Sequence, residues 1–245
     1  MTWIKICGMT NLEDALVAVE AGADAVGFVF YEKSPRCVTV ETAREIVEKL
    51  PENVEKVGVI VDTHPADFLA VIHQTRLNSC QWYLGENNGS ATMPKGSKFP
   101  APPAGFNLYR AVPANWFIGN EIRMRDFTAS FAKVEKSFIS PEQGKKAVER
   151  LRTIFLDSGT SRQPGGTGKV FDWQGAAGAI QFLQQTVRVV VAGGLTPENV
   201  GEAIEILEPW GVDVVSGVEA SPGKKDPEKV RAFVRAVREM DRKTG

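Results

Sequence analysis

The run Trp3-Ile4-Lys5-Ile6-Cys7 ends on the first residue of the chain that could do chemistry, a cysteine followed at once by a glycine. Side chains alternate across a strand, so Trp3, Lys5 and Cys7 share one face and the two isoleucines share the other. If the isoleucines face covering helices, Cys7 points into the interior of the sheet with Lys5 one layer beneath it. A positive charge there favours the thiolate, so the pattern predicts an activated thiol. A buried structural cysteine is the alternative.

A second ionisable residue also ends a strand-like run. Asp157 follows Thr153 and Phe155 on one alternating face of the segment TIFLD. Taken alone it could be a turn or helix-cap aspartate. If the strands close into a barrel, Asp157 and Cys7 stand at the carboxyl ends of two strands and face each other across its opening. That pairing favours a reactive site more strongly than either residue does alone.

Two glycine-containing loops follow later strand-like runs. Gly193-Gly194 lies in VVVAGGLTPENV, and Ser216-Gly217 lies in DVVSGVEASPGKKDP. Glycines let backbone N–H groups approach an anion, and the loops after the seventh and eighth strands are the usual phosphate site of barrels. A single such turn is usually only a turn. Two in consecutive units predict a phosphorylated ligand.

Two further loops carry candidate functions. Arg36 follows a proline in YEKSPRCV, and its guanidinium is suited to a bidentate grip on a carboxylate; a solvated loop charge is the alternative. The segment QPGGTGKV, residues 163–170, lacks the spacing of a nucleotide P-loop. We interpret it as a mobile lid, with an ordinary flexible surface loop as the alternative.

Short β-branched runs alternate with segments of helical periodicity, and these elements must position the candidate residues. The predicted strands are Trp3–Cys7, Ala25–Phe30, Lys56–Val61, Ser79–Tyr83, Asn107–Val112, Thr153–Leu156, Arg188–Val191 and Asp213–Ser216. The predicted helices are Asn11–Ala21, Val40–Leu50, Pro65–Leu77, Gln143–Leu151, Trp173–Gln185, Pro197–Glu208 and Pro227–Asp241. Start signals include Thr196-Pro197-Glu198, a cap followed by a proline and an acid.

About eight strand–helix units predict an α/β fold of the (β/α)8 TIM barrel type, with an open doubly wound sheet as the alternative. The rhythm breaks at residues 85–105, which are rich in Gly and Pro, and at residues 116–140, which are polar and weakly periodic. We expect an irregular fourth-to-fifth unit there. Neither stretch has a core of its own, so residues 1–245 are predicted to form a single domain.

The overall composition limits the partners. The chain has 245 residues, a net charge of −1 and no basic stripe, so neither nucleic acid nor a membrane surface is an expected partner. Its apolar runs are too short to span a bilayer, and no secretory signal opens the chain. Three widely spaced cysteines and two histidines form no disulfide framework and no zinc spacing, which predicts a cytoplasmic protein without a metal. The oligomeric state is left open.

Seven stretches of the chain, in order, resemble the phosphoribosylanthranilate isomerases of tryptophan biosynthesis. They are KICGMTN at 5–11, GADAVGFVFYEKSPR at 22–36, VGVIVD at 57–62, FLDSGT at 155–160, GGTGKVFDW at 165–173, AGGLTPENV at 192–200 and GVDVVSGVEASPGKKD at 211–226. The resemblance implies a cofactor-free Amadori rearrangement of N-(5-phosphoribosyl)anthranilate, a phosphorylated small molecule. It gives no chemistry to Asp172 or Asp213, which lie within these stretches.

Roles for the candidate residues follow from this resemblance. Asp157 would be the general acid on the furanose ring oxygen, and Cys7 the general base on the C2′ proton. Arg36 would hold the anthranilate carboxylate, and the backbone of Gly193, Gly194, Ser216 and Gly217 would hold the phosphate. An efficient acid of this kind needs its pKa raised, by burial or by the anionic substrate.

The middle of the chain departs from the family pattern. Where the family tends to have Gln-Leu-His-Gly at the fourth strand, this chain has Gln81-Trp82-Tyr83-Leu84-Gly85, with Tyr83 at the histidine position. Two other functions are compatible with such a barrel. One is a broader isomerase that also acts on histidine precursors, against which Cys7 counts, because related barrels of that kind use aspartate there. The other is a ligand-binding barrel that has lost catalysis.

Overall fold

Eight parallel strands close into a barrel in chain order, with the eighth paired to the first. The computed structural model describes residues 1–61, 65–83, 106–138, 152–159 and 168–244. The barrel strands are β1 (Trp3–Cys7), β2 (Ala25–Val29), β3 (Glu55–Val61), β4 (Ser79–Tyr83), β5 (Asn107–Pro113), β6 (Thr153–Asp157), β7 (Arg188–Val191) and β8 (Gly211–Val214). The predicted (β/α)8 barrel is confirmed.

The helices cover the outside of the barrel. Those described are α1 (Leu12–Ala21), α2 (Val40–Val47), α3 (Pro65–Thr75), α4 (Glu121–Phe138), α5 (Trp173–Gln184), α6 (Val200–Leu207) and α7 (Pro227–Thr244). After β8 the chain makes a 3-10 turn at Ser216–Val218 and a small antiparallel hairpin of β9 (Glu219–Ser221) and β10 (Lys224–Lys225). This hairpin contributes charged side chains to the candidate site.

Helix α1 shows how local sequence sets the geometry after β1. The Asn11 side chain accepts a hydrogen bond of 2.9 Å from the backbone N–H of Asp14, which caps the helix start. Gly22 ends the helix in the left-handed conformation that favours glycine. The helix therefore begins four residues after Gly8, which leaves a short loop between it and the end of β1.

Two apolar layers follow from strand alternation. Ile4 and Ile6 are fully buried in the large layer between strands and helices. Inside the barrel lies a smaller cluster built around Phe155 and Tyr109, with Trp3 packed against it. Trp3 therefore faces inward as the alternation predicted, and Lys5 and Cys7 share its face.

Several predicted bounds differ from the structure, and three of the differences are informative. Residues 116–140 were expected to be irregular, yet α4 occupies Glu121–Phe138, because the Asn120 side chain accepts from the Arg123 N–H and Phe127 packs edge-on against Phe117. Thr196-Pro197-Glu198 was expected to start a helix but forms a turn, and α6 begins at Val200. Strand β8 starts at Gly211 rather than Asp213, because Gly211 pairs with both β1 and β7.

Parts of the sequence predictions fall outside the described residues. These are the 85–105 excursion, the helix Gln143–Leu151 and most of the lid segment. The single domain over residues 1–245 therefore stays a prediction. Within the described ranges, no helix combines the length and the apolar character needed to cross a membrane.

Candidate active site

A buried ion pair lies inside the barrel, beneath Cys7. Lys5 on β1 and Asp213 on β8 are register partners in neighbouring strands, and Lys5 Nζ lies 2.9 Å from Asp213 Oδ1. Both side chains are buried, and Lys5 Nζ also lies over the Phe155 ring. A buried charge is tolerated when it is paired, so Asp213 is what allows a lysine beneath Cys7.

The Cys7 thiol is buried at the end of β1, directly above this pair. Burial raises its pKa, and although the Lys5 charge opposes that effect, the net shift is upward. Lys5 therefore acts on the thiol in the predicted direction, toward the thiolate, but burial outweighs it in the free protein. The main physical reason is burial, which disfavours the charged form, and the negative charge of Asp213, the ion-pair partner of Lys5, adds to it.

A glycine on the next strand makes room for the thiol. Gly27 on β2 pairs with Cys7, and a Cβ at Gly27 would lie 2.5 Å from Cys7 Sγ and 3.0 Å from Lys5 Cε. These separations are too short for any side chain larger than hydrogen. Gly27 therefore determines where the sulfur and the ammonium group can sit.

Asp157 ends β6 and is also buried. Its Oδ2 accepts a hydrogen bond of 2.6 Å from the Tyr83 hydroxyl, and its Oδ1 accepts one of 2.7 Å from the backbone N–H of Gly159. Both carboxyl oxygens are therefore held. Burial, and then the negative charge of Asp157, raise the pKa of Tyr83 well above its usual value, so this phenol is a neutral donor.

The glycines of the loops after β7 and β8 lie where backbone segments approach each other closely. Gly193 and Gly194 both have positive φ, and a Cβ on them would run into Ser158 and into the Lys169–Val170 backbone, respectively. A Cβ on Gly217 would run into the carbonyl of Leu195. These glycines thus bring the loops after β6, β7 and β8 into contact.

Asn199 fixes the Gly194 loop from below. Its amide nitrogen donates to the Gly194 carbonyl at 3.0 Å, and its oxygen accepts from the Thr196 N–H at 2.8 Å. The turn that replaced the predicted helix start is therefore part of the site, because it positions the Gly194 backbone.

Arg36 lies across the site on an acidic partner rather than in solvent. Its Nε and Nη2 donate to the two carboxyl oxygens of Glu219 at 2.8 and 2.7 Å, and Lys225 Nζ donates to the same carboxylate at 3.0 Å. Gly8 has φ of +81°, and a Cβ there would lie 2.8 Å from Arg36 Cδ. The glycine after Cys7 therefore lets the arginine pass over the end of β1.

The structure brings these groups to one end of the barrel. One depression is lined by Asp157, Ala192, Gly193, Gly194, Leu195, Asp213, Val215 and Ser216. Cys7 lies close enough to Tyr83, Lys5 and Arg36 to perturb each of them electrostatically. A carboxyl group and a thiol at such a mouth can perform general acid–base chemistry on a small ligand.

Sequence reasoning missed three residues that hold this arrangement. Asp213 was given no chemistry, although an aspartate within the valine-rich run DVV signals a buried charge that needs a partner. Tyr83 appeared only as a departure from a pattern. Glu219 is the carboxylate that fixes Arg36, and no local signal marked it. In the described ranges, no group of three His, Cys, Asp or Glu side chains could hold a metal ion.

The comparison with known families agrees with this geometry. The model of the N-(5′-phosphoribosyl)anthranilate (PRA) isomerase family matches residues 4–95 and 120–236 of the chain. An N-(5′-phosphoribosyl)anthranilate isomerase of Pelobacter propionicus is 41% identical over 239 residues, covering 98% of this chain and 97% of its own length. One of Prosthecochloris aestuarii is 38% identical over 244 residues, covering 98% and 96%.

Solved structures give the same result. The phosphoribosyl anthranilate isomerase of Thermotoga maritima superimposes with a TM-score of 0.71 at 36% identity, covering 98% of this chain and all of that one. A phosphoribosyl anthranilate isomerase in complex with reduced 1-(o-carboxyphenylamino)-1-deoxyribulose 5-phosphate gives a TM-score of 0.68 at 34% identity, with the same coverage.

Proposed function

Because the chain belongs to the N-(5′-phosphoribosyl)anthranilate isomerase family, we propose that Asp157 and Cys7 carry out its reaction as general acid and general base. The activity is the rearrangement of N-(5′-phosphoribosyl)anthranilate, an aminoaldose, to the corresponding aminoketose in tryptophan biosynthesis. The observation that supports the residue assignment is the depression that Asp157 shares with the glycine loops, together with Cys7, which acts on Tyr83, the hydrogen-bond partner of Asp157.

Ring opening is assigned to Asp157. Its carboxylic acid gives a proton to the furanose ring oxygen while the anthranilate nitrogen forms a double bond to C1′ and the C1′–oxygen bond breaks. The products are a protonated Schiff base, a free sugar hydroxyl and the Asp157 carboxylate. Hydrogen bonds from Tyr83 and Gly159 support that carboxylate.

Proton abstraction is assigned to Cys7. The thiolate removes the C2′ proton, and the electron pair forms an enolamine, which becomes the aminoketose when C1′ gains a proton and the C2′ hydroxyl loses one. The substrate is oxidised at C2′ and reduced at C1′, so no external reductant is involved. Since burial raises the thiol pKa, only a small thiolate fraction acts at neutral pH.

Two groups of residues are assigned to substrate binding, one to its carboxylate and one to its phosphate. Glu219 engages Nε and Nη2 of Arg36, so we assign Nη1 and the second Nη2 hydrogen to the anthranilate carboxylate. Backbone N–H groups around Gly193, Gly194, Ser216 and Gly217 are assigned to the phosphate. Lys5 neutralises Asp213 beneath them, which limits repulsion of the anion.

The assignment is tested by turnover of freshly made substrate. Cys7→Ala and Asp157→Asn should each lower kcat by about 10²–10⁴, because each group acts on a transition state. Binding of a reduced product analogue should change little. Wild-type turnover in either variant would remove that residue from the mechanism. Loss of analogue binding together with kcat would instead indicate a damaged fold.

A further inference from the structure

We propose that Tyr83 is a positioning residue for the acid step, with its hydroxyl holding Asp157 and stabilising the carboxylate that remains after proton transfer. The inference rests on the proposed role of Asp157 and extends it. It also gives a purpose to the residue by which this chain departs from the family pattern at the fourth strand.

The geometry that carries the proposal spans three strands. Tyr83 is the last residue of β4, and Asp157 is the last residue of β6, with β5 between them. On β5 the register partner of Tyr83 is Ala111 and that of Asp157 is Pro113. The phenol therefore reaches across β5 and donates to Asp157 Oδ2 at 2.6 Å.

The described charged groups around Tyr83 and Asp157 are either negative or already paired, which leaves the phenol as the side-chain donor to this carboxylate. Asp213 on β8 and Cys7 on β1 add negative or potentially negative charge near Tyr83. The Lys5 ammonium is engaged by Asp213, and Lys225 by Glu219. Of the described ionisable groups, Cys7 and Asp213 act on Tyr83, and Asp213 also interacts with Asp157. Of the described side chains, Tyr83 is the one that donates a hydrogen bond to Asp157.

The chemistry follows from the direction of the hydrogen bond. A phenol that donates to a carboxylate stabilises the anion, and a hydrogen bond to a charged group is stronger than one between neutral groups. In the proposed acid step, the carboxylic acid that gives up the proton gains less from this bond than the carboxylate that it leaves. The bond therefore strengthens as negative charge develops, and it lowers the barrier of the acid step rather than tightening substrate binding.

The decisive variant is Tyr83→Phe, which keeps the ring and removes the donor. We expect kcat to fall about tenfold to a hundredfold with KM nearly unchanged. The kcat/KM pH profile of this variant should also differ from that of the wild-type enzyme, because the proposed acid has lost a hydrogen-bond donor.

A matched control lies at the other end of the barrel. Tyr109 is also an inward-facing tyrosine whose hydroxyl donates to a carboxylate, that of Glu55. Tyr109→Phe should reduce stability but leave kcat and the pH profile unchanged. Replacement of Tyr83 by 4-aminophenylalanine, which keeps both ring and donor, should recover most of the lost turnover.

The outcomes separate this proposal from the one on which it rests. If Asp157→Asn is inactive while Tyr83→Phe has the wild-type kcat and pH profile, the role of Tyr83 is overturned and the acid assignment survives. If Asp157→Asn turns over normally, the acid assignment itself fails. In the Asp157→Asn background, Tyr83→Phe should cause no further loss; an additional, independent loss would indicate a structural role.

Discussion

At the scale of single residues, the site depends as much on missing side chains as on reactive ones. Gly8 lets Arg36 cross the end of β1, and Gly27 leaves space for the Cys7 sulfur. A core of this kind is close-packed, so one added methyl group cannot be absorbed without displacing a neighbour. The neighbours of Gly27 are the proposed base and the lysine beneath it. Displacing them should therefore change the rate of turnover.

Gly27→Ala should therefore lower kcat by about tenfold to a hundredfold, since a displacement near 1 Å has that effect on a catalytic group. The added Cβ would lie 2.5 Å from Cys7 Sγ. The control is Gly178→Ala in α5, where nothing lies within 4 Å of the added Cβ. That variant should keep full activity and gain about 0.5–1 kcal/mol of helix stability. Equal turnover of the two variants would contradict the packing argument.

At the scale of elements, the hairpin β9–β10 links the site to α1. Glu219 on β9 holds Arg36, and Lys225 on β10 donates to Glu219 and to the Val215 carbonyl. Asp14 in the first turn of α1 accepts from the backbone N–H of Lys225. The hairpin is thus fixed by buried charge, although it has only five strand residues.

The pH dependence of this element has a defined sign. Burial alone would raise the pKa of Glu219, but hydrogen bonds from Arg36 and Lys225 outweigh it and hold the pKa below the usual 4.5. A carboxyl whose folded pKa is depressed stabilises the fold above its unfolded value, and that contribution is lost as pH falls through the folded value. The stabilisation by Glu219 is therefore present at neutral pH and lost below about pH 4.5.

Glu219→Gln should destabilise the protein at pH 7 by about 3 kcal/mol, because Lys225 stays buried without a charged partner. Urea unfolding should show that this difference shrinks below pH 4.5. The variant should also raise KM, since Arg36 loses its support. Glu228→Gln, which breaks the exposed pair with Arg231, is the control and should cost less than about 1 kcal/mol. A pH-independent difference for Glu219→Gln would refute the ionic account.

At the scale of the whole molecule, two sets of contacts join the start of the chain to its end. Strand β8 pairs with β1, and α7 ties the start of the chain to its end. Asp241 Oδ1 accepts from the N–H and the hydroxyl of Thr2 at 2.8 and 2.7 Å, and Arg238 donates to Asp241, to the Thr2 carbonyl and to Asp24. Because β1 carries Cys7 and β8 carries Asp213, this closure aligns both halves of the site.

Asp241→Asn should weaken the closure by about 1–2 kcal/mol, because an amide cannot accept at both positions. For a chain of this length each kcal/mol lowers Tm by roughly 2–4 °C. Bonds from Thr2 and Arg238 overcome burial and hold the pKa of Asp241 below 3.8, so the difference in Tm should diminish below that pH. Glu239→Gln, exposed on the same helix, should leave Tm unchanged; an equal drop in both would show that general surface charge is responsible.

The sequence by itself determined the barrel and the direction of its reactive side chains. Strand alternation has a period of two, so the inward position of Cys7, and of Asp157 on the same face as Phe155, could be predicted once the strand segments were known. The glycines after β7 and β8 were likewise visible as breaks between apolar runs and helices.

Only the tertiary structure decided how these residues are tuned. Whether Lys5 activates Cys7 depends on desolvation and on Asp213, which lies 208 residues away in sequence but next to it in the sheet. In the same way, the pair of Arg36 with Glu219 and the hydrogen bond from Tyr83 to Asp157 join residues of different strands and loops. Local sequence fixes dihedral angles and faces, whereas burial and long-range pairing, which set ionisation, exist only once the barrel has closed.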